Sequence, residues 1–357
     1  MSSSTDPTEY YSYNPNKVLP AVFAALVGAS FGLHISQNFR YRYWRVTFFM
    51  VWAGAIFEAG WIVRTFSINR PTNLGLYVAQ YMLIYMAPPV YSAAEYNILG
   101  RLMHYLPMHA PFHPGRVVYF FVYLGAAVEV LTALGAAELS SAAQNDTAPL
   151  KRGASLLAAG VILQGVVELL FVSLVGLIHR RCAKAGMLTR NVTIVCITLY
   201  GTSALVLLRC VFRAVEKFNI LNVVSSGKCD GACDNILSTE WYLYAFEGAP
   251  MVLYTIWLNI VHPGRFLPSS SKRYLDYNKV ERIGPGWNDN RPKLNSLLDP
   301  LNFEALIKRE PSHRKFWLDA EQWPVAGDGS FAKGTASNVQ GKCVKVGDVK
   351  YDKILPQ

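Results

Sequence analysis

The 357-residue sequence is short of charge: Asp, Glu, Lys and Arg supply 16% of it, against 52% hydrophobic residues. An ordinary soluble domain carries about 25% charged residues, so the chain is too apolar for that class. The opening residues, MSSSTDPTEYYSYNP, lack a basic stretch and a small-residue cleavage site. No secretory signal peptide is expected, and insertion is expected to begin with the first apolar helix. There is no GxxxxGK[ST] sequence, which argues against direct use of ATP through a P-loop, and no cofactor is expected. Six cysteines in a chain of this length do not make a disulfide framework. Cys182, Cys196 and Cys210 fall in or near apolar segments and read as small packing residues. The net charge of +10 is spread over short loops and the C-terminal region rather than gathered on one face. Nucleic acid is therefore not an expected partner.

What the sequence does have is length of apolar run. About 20 predominantly apolar residues cross the ~30 Å hydrocarbon core as a helix. Seven stretches qualify: Val18–Ile35, Trp44–Val63, Gly75–Leu99, Val117–Ala137, Gly153–Ile178, Asn191–Val211 and Thr239–Val261. None alternates polar and apolar residues as a barrel strand does. The expectation is an all-α membrane protein, a bundle of seven transmembrane helices. Its parts would be an extracellular segment over residues 1–17, a membrane domain over 18–262 and a polar cytosolic tail over 263–357. That tail is rich in Pro, Asn, Ser, Asp and Lys and reads as mostly disordered, with Trp287, Phe316, Trp317 and Trp323 as material for a small packed patch. Pro88–Pro89, near the middle of the third stretch, should kink it and free carbonyls.

Short basic loops set orientation. With the N terminus outside, the cytosolic face holds twelve basic residues: Arg40, Arg42, Arg45, Arg101, Arg116, Arg180, Arg181, Lys184, Arg190, Arg265, Lys272 and Arg273. The other face holds eight: Lys17, Arg64, Arg70, Lys151, Arg152, Arg213, Lys217 and Lys228. In that arrangement the sequon at Asn145 would be available for glycosylation. Cys229 and Cys233, four apart in a Gly- and Ser-rich loop, would lie where a disulfide can form.

Ionisable side chains at bilayer depth cost about 2.5–3.5 kcal/mol or more each. The sequence carries Glu58 and Arg64 in the second stretch or at its end, Gln80 and Glu95 in the third, and Glu129 in the fourth. Gln164 and Glu168 share a face of the fifth, as Arg209, Arg213 and Glu216 do of the sixth. Glu240 and Glu247, with Tyr244 between them, share a face of the seventh. Each residue alone reads as interhelical hydrogen-bonding, and Arg64 and Glu240 as reaching the wet interface. As a set they read as a polar cavity for a charged head group. Gly54, Gly60, Gly125 and Gly135 read as close-packing positions. His104, His109 and His113 cluster in a loop and read as solvated. No His/Asp constellation falls inside the bundle, so neither a metal site nor a catalytic residue is expected.

Several segments together resemble the fungal RTA-like, or lipid-translocating exporter, family. Glu58-Ala59-Gly60-Trp61-Ile62-Val63-Arg64 is similar to the family's E-x-G-[YW]-x-x-R. Gln80, Ala87-Pro88, Ala94, Tyr96 and Leu99-Gly100-Arg101 follow its pattern in the third helix, and Gly160 with Gln164 in the fifth. Arg209-x-x-Phe212-Arg213-x-x-Glu216 follows it in the sixth; Glu240-Trp241, Phe246-Glu247, Pro250-Met251 and His262-Pro263-Gly264 complete it. Three positions depart: the family's Asp and Gln in helix 4 correspond to Gly125 and Thr132, with Glu129 nearby, and its helix 7 Asp to Glu247. The resemblance implies a plasma-membrane or endomembrane protein rather than an enzyme. It implies membrane lipids and amphiphilic small molecules as partners, sphingoid long-chain bases among them, and resistance to toxic amphiphiles. Glu58, Glu95, Glu168 and Glu247 would then pair an ammonium head, with Arg209 and Arg213 holding part of that acid set ionised. A seven-helix sensor signalling through its tail is the rival reading.

Overall fold

A computed structural model of the chain describes residues 10–11, 13–141, 147–226, 236, 239–287, 299 and 316–326. The sequon at Asn145 and the Cys229/Cys233 pair lie outside them.

Each apolar stretch is helical over all but at most two residues at either end. The helices are α1 (Leu19–Tyr41), α2 (Trp44–Ile68), α3 (Leu74–Tyr105), α4 (Pro114–Ser141), α5 (Thr147–Lys184) and α6 (Arg190–Ser226). The seventh, α7, runs through Trp241–Leu243, a π turn at Tyr244–Gly248, and Ala249–Ile260. Local chemistry sets the ends. The Asn16 side chain accepts from the Val18 and Leu19 N–H groups at the start of α1, where Pro20 needs no partner. Asn73 caps α3 by accepting from Leu76 N–H at 3.1 Å.

Five helices, α1, α2, α4, α5 and α6, are long and apolar enough to cross a membrane. Their outer faces carry large apolar side chains such as Trp52, Leu134, Leu169 and Val211, each more than half exposed. That surface fits hydrocarbon rather than water. α3 is the inner helix, packed between α2 and α4 and also touching α5 and α6. Small residues let the helices approach. A Cβ added at Gly60 would come within 2.8 Å of Ile84, and one at Gly135 within 2.9 Å of the Gly153 carbonyl. Gly54 is closed in the same way by Phe31, whereas nothing lies within 4 Å of a Cβ added at Gly125.

α3 continues as one helix through Pro88–Pro89. Proline has no N–H for the carbonyl four residues back, so the carbonyls of Ile84 and Tyr85 lose their helical partners. In α7, Pro250 likewise leaves the Phe246 carbonyl without one, and the π turn lies at this point.

The beginning of the polar tail is ordered on the bundle. Strands β1 (Arg273–Leu275) and β2 (Glu281–Ile283) form an antiparallel hairpin, with Arg273 opposite Ile283. Tyr274 packs on Phe316, and Trp287 on Phe316 and Trp317. Tyr105 of α3 donates to Glu281 at 2.8 Å, and Arg101 donates to the Ser269 carbonyl. His109, read from sequence as solvated, is buried, and the His113 ring lies 5.3 Å from that of Trp287.

Candidate functional site

The intramembrane polar residues meet in separate hydrogen-bonded groups. They fall into layers between the end of the bundle that carries Tyr10–Asn16 and the end that carries the hairpin.

At the N-terminal end Arg64 is fully buried. Its guanidinium meets Glu240 at 2.5 Å, Gln80 Oε1 at 3.1 Å and the Tyr13 hydroxyl at 3.2 Å. Tyr244 donates to Glu240 at 2.8 Å, while the N–H of Asn16 donates to the other Glu240 oxygen at 2.6 Å. Gln80 donates to the Tyr11 hydroxyl at 2.7 Å, which in turn meets Ser67 at 2.8 Å. Three aromatic rings, Tyr11, Tyr81 and Tyr244, have centroids within about 6 Å of the cation. Sequence reasoning sent Arg64 to the wet interface; the N-terminal tyrosines cover it instead. The signal available for them was the run Tyr10-Tyr11-Ser12-Tyr13, which hydropathy does not weigh.

The next layer is centred on Glu247, held in the π turn with no exposure. Arg209 Nε donates to one of its oxygens and Arg213 Nε to the other, both at 2.7 Å. Arg209 also donates to Gln164 Oε1 at 3.1 Å and to the Tyr85 carbonyl at 3.4 Å. That carbonyl is the one Pro89 deprives of its helical partner, so the proline pair in α3 recruits an arginine from α6. Arg213 also pairs with Glu216, stacks on the Tyr85 ring at 3.5 Å, and leaves Lys217 to meet Glu216 at 3.2 Å. Every charge here has a partner.

Deeper lie acids with none. Glu95 and Glu168 are both fully buried. Ser203 donates to Glu95 at 3.2 Å. Glu168 lies against Glu95, Ser92 and Ser203, yet neither of its oxygens completes a hydrogen bond. Among the described residues no Lys or Arg pairs with either acid. Tyr91 and Tyr254, rings 5.4 Å apart, run from this pair toward Glu58, which reaches from α2 to Gly28 of α1. Glu129 is within electrostatic reach of Arg209, but both its oxygens lack a partner. It stands one turn from Gly125 and its open space. Ser92, Ser203 and Tyr254 were not singled out from sequence, because a hydroxyl in an apolar helix carries no distinguishing pattern.

A fourth layer joins α1 to α7. Asn259 binds His34 at 2.9 Å and donates to the carbonyl and hydroxyl of Ser30, and the rings of His34 and His262 lie 5.1 Å apart. Among the described residues no three His, Cys, Asp or Glu side chains gather as metal ligands would.

Comparison with known proteins supplies the context. Residues 50–270 match the family model described as RTA1 like protein. A Lipid-translocating exporter-like protein RTA1 of Leptosphaeria maculans is 34% identical over 316 residues, covering 85% of this chain. The chain spans 60% of that relative's length. A protein of the same name from Ajellomyces capsulatus is 30% identical over 74% of this chain and 84% of its own. Protoporphyrin uptake protein 1 of Saccharomyces cerevisiae is 27% identical over 70% of this chain and 72% of its own. No solved structure matches. With five helices able to span, these likenesses describe a multi-pass, mostly helical membrane protein.

Proposed function

We propose, from the premise that this chain belongs to the RTA1-like protein family, that it moves lipid across a membrane. We take its cargo to be a single-chain amphiphile with a cationic head, such as a sphingoid long-chain base. Removal of such surfactants from the membrane would give resistance to toxic amphiphiles. The relatives whose names speak of lipid translocation support the general role.

The finer reading rests on one observation, the division among the acids. Glu240 and Glu247 are saturated by arginines, so neither offers charge to a ligand. Among the described residues, Glu95 and Glu168, with Glu58 and Glu129 to either side, have no such partner. Buried carboxylates without counter-charge are costly, and an ammonium head supplies what the protein leaves out. The saturated layers would then be the frame, and the unpaired acids the path.

In this reading α3 and α7 also cross the bilayer, giving seven spans. They carry more polar side chains than a lone span tolerates because those side chains face other helices. The N terminus lies outside, in the plasma membrane or an endomembrane. Of the eight basic residues on that face, Arg64, Arg213 and Lys217 are buried in the bundle and Lys228 lies outside the described residues, which leaves four exposed. On the opposite face only Arg101 and Arg116 are buried, leaving ten of twelve. The bias is steeper among the charges that stay exposed at the two ends of the bundle.

The test is export of labelled dihydrosphingosine from cells carrying wild type, Glu168→Gln or an empty vector, with membrane levels matched. Wild type should export more than the vector, and the variant should fall toward it. Three equal rates would sink the reading. One observation favours a sensor as the second reading: the hairpin is fastened to α3 through Tyr105–Glu281 and Arg101–Ser269. Truncation of residues 263–357 separates the two, since a sensor loses output while still binding ligand and a transporter keeps moving it.

A further inference from the structure

At the hairpin end of the bundle a cavity of about 340 Å³ opens between the start of α2, the last turns of α3 and the start of α4. Its polar lining is Arg45, Asn97, Arg101 and His104, with Ser271 from the tail at the rim. The rest is chiefly apolar, with Phe49, Tyr119 and Val122 among the walls. The α3–α4 side is closed by contact so tight that a Cβ added at Gly100 would collide with the Val118 side chain.

The charge in this cavity is one-sided. No Asp or Glu lines it, and among the described residues neither Arg45 nor Arg101 has a carboxylate partner. Arg101 is only 9% exposed. It donates to the Ser269 carbonyl, and its Nε is buried without a partner. His104 Nδ1 is buried and unpartnered in the same way. A guanidinium presents a planar fork of donors suited to phosphate and carboxylate oxygens. Basic pockets between helices near a membrane surface are built to take anionic head groups. The apolar walls suit the first carbons of an attached chain. The volume suits a head group and those carbons but not a whole lipid, so the remaining chain would lie along the apolar exterior beside Phe48 and Trp52, each 55% exposed.

We propose that this cavity binds the phosphate or carboxylate head of an anionic amphiphile, with Arg101 and Arg45 as its principal ligands. The site is separate from the unpaired acids and opposite to them in charge, so it holds whether or not those acids carry a cationic cargo.

The test uses full-length protein purified into phosphatidylcholine nanodiscs, with stability followed by thermal melting. Phosphatidic acid at a fixed fraction of the lipid is compared with inorganic phosphate at matched concentration. Wild type should gain stability with phosphatidic acid. In Arg101→Gln, and separately in Arg45→Gln, which changes an exposed residue and leaves the fold intact, half-maximal stabilisation should need about tenfold more ligand or beyond. That shift is the loss of one charge-assisted hydrogen bond. Stabilisation by phosphatidic acid alone assigns the site to a lipid head group. Equal stabilisation by inorganic phosphate assigns it to the free anion, through the same residues. No stabilisation by either ligand, or the same response in wild type and both variants, overturns the proposal.

Discussion

Glu247 and Glu168 are both fully buried and differ in company. Glu247 is gripped by two guanidinium groups at 2.7 Å; Glu168 has no hydrogen-bond partner for either oxygen. Removing one side of a buried ion pair strands the other charge and costs about 3–5 kcal/mol. Arg213→Gln should therefore lower the stability of the purified protein by about that amount, read as a reduced midpoint in denaturant titration. Glu168→Gln should leave the midpoint unchanged or raise it, because it removes an uncompensated acid and breaks no pair. If the two variants melt alike, the division between frame and path is wrong. The sequence showed which residues are costly, and the i, i+3 relation of Arg213 and Glu216 is realised as a contact. It did not show who pairs with whom. The Arg64–Glu240 contact joins residues 176 apart, and no local spacing encodes a meeting that depends on how α2 and α7 pack.

Helices were the most legible level, since a long apolar run commits the backbone to satisfy itself. Departures from the plain helix were legible only in part. Pro88–Pro89 announced freed carbonyls, and one of them is taken up by Arg209. The π turn at Tyr244–Gly248 was not anticipated, although Pro250 was in view. The turn sets the direction of Glu247: one residue of helix is about 100° of rotation. Pro250→Ala restores the missing N–H and allows α7 to revert to a regular helix, which would swing Glu247 off its arginines. The expected outcome is retained helical content by circular dichroism with a lowered melting midpoint; an unchanged midpoint would disconnect the π turn from the ion lattice. Glycines offer a paired check at the same scale. Gly135→Ala pushes a methyl to 2.9 Å from the Gly153 carbonyl and should cost about 1–3 kcal/mol. Gly125→Ala meets nothing within 4 Å and should cost far less, apart from any effect on transport next to Glu129.

Across the whole molecule the layers differ in charge and in saturation, and this bears on which way the bundle sits. The N-terminal end is closed by Arg64, Glu240 and the tyrosines of residues 10–13, a seal in which every charged group is matched. The opposite end carries the loop arginines, the cavity at Arg101 and the docked hairpin. Basic loops are retained on the cytosolic side, and anionic lipids are concentrated in that leaflet. Both arguments favour the proposed cytosolic placement of the hairpin end: one rests on exposed basic residues, the other on the proposed anionic site, with Arg45 entering both. An epitope placed before Tyr10 should then be labelled by antibody on intact spheroplasts, and one placed after residue 326 only after permeabilisation. Labelling in the reverse order would turn the bundle over. The Arg101 cavity would then face the outer leaflet, while its preference for an anionic head, which depends on Arg45 and Arg101 alone, would stand.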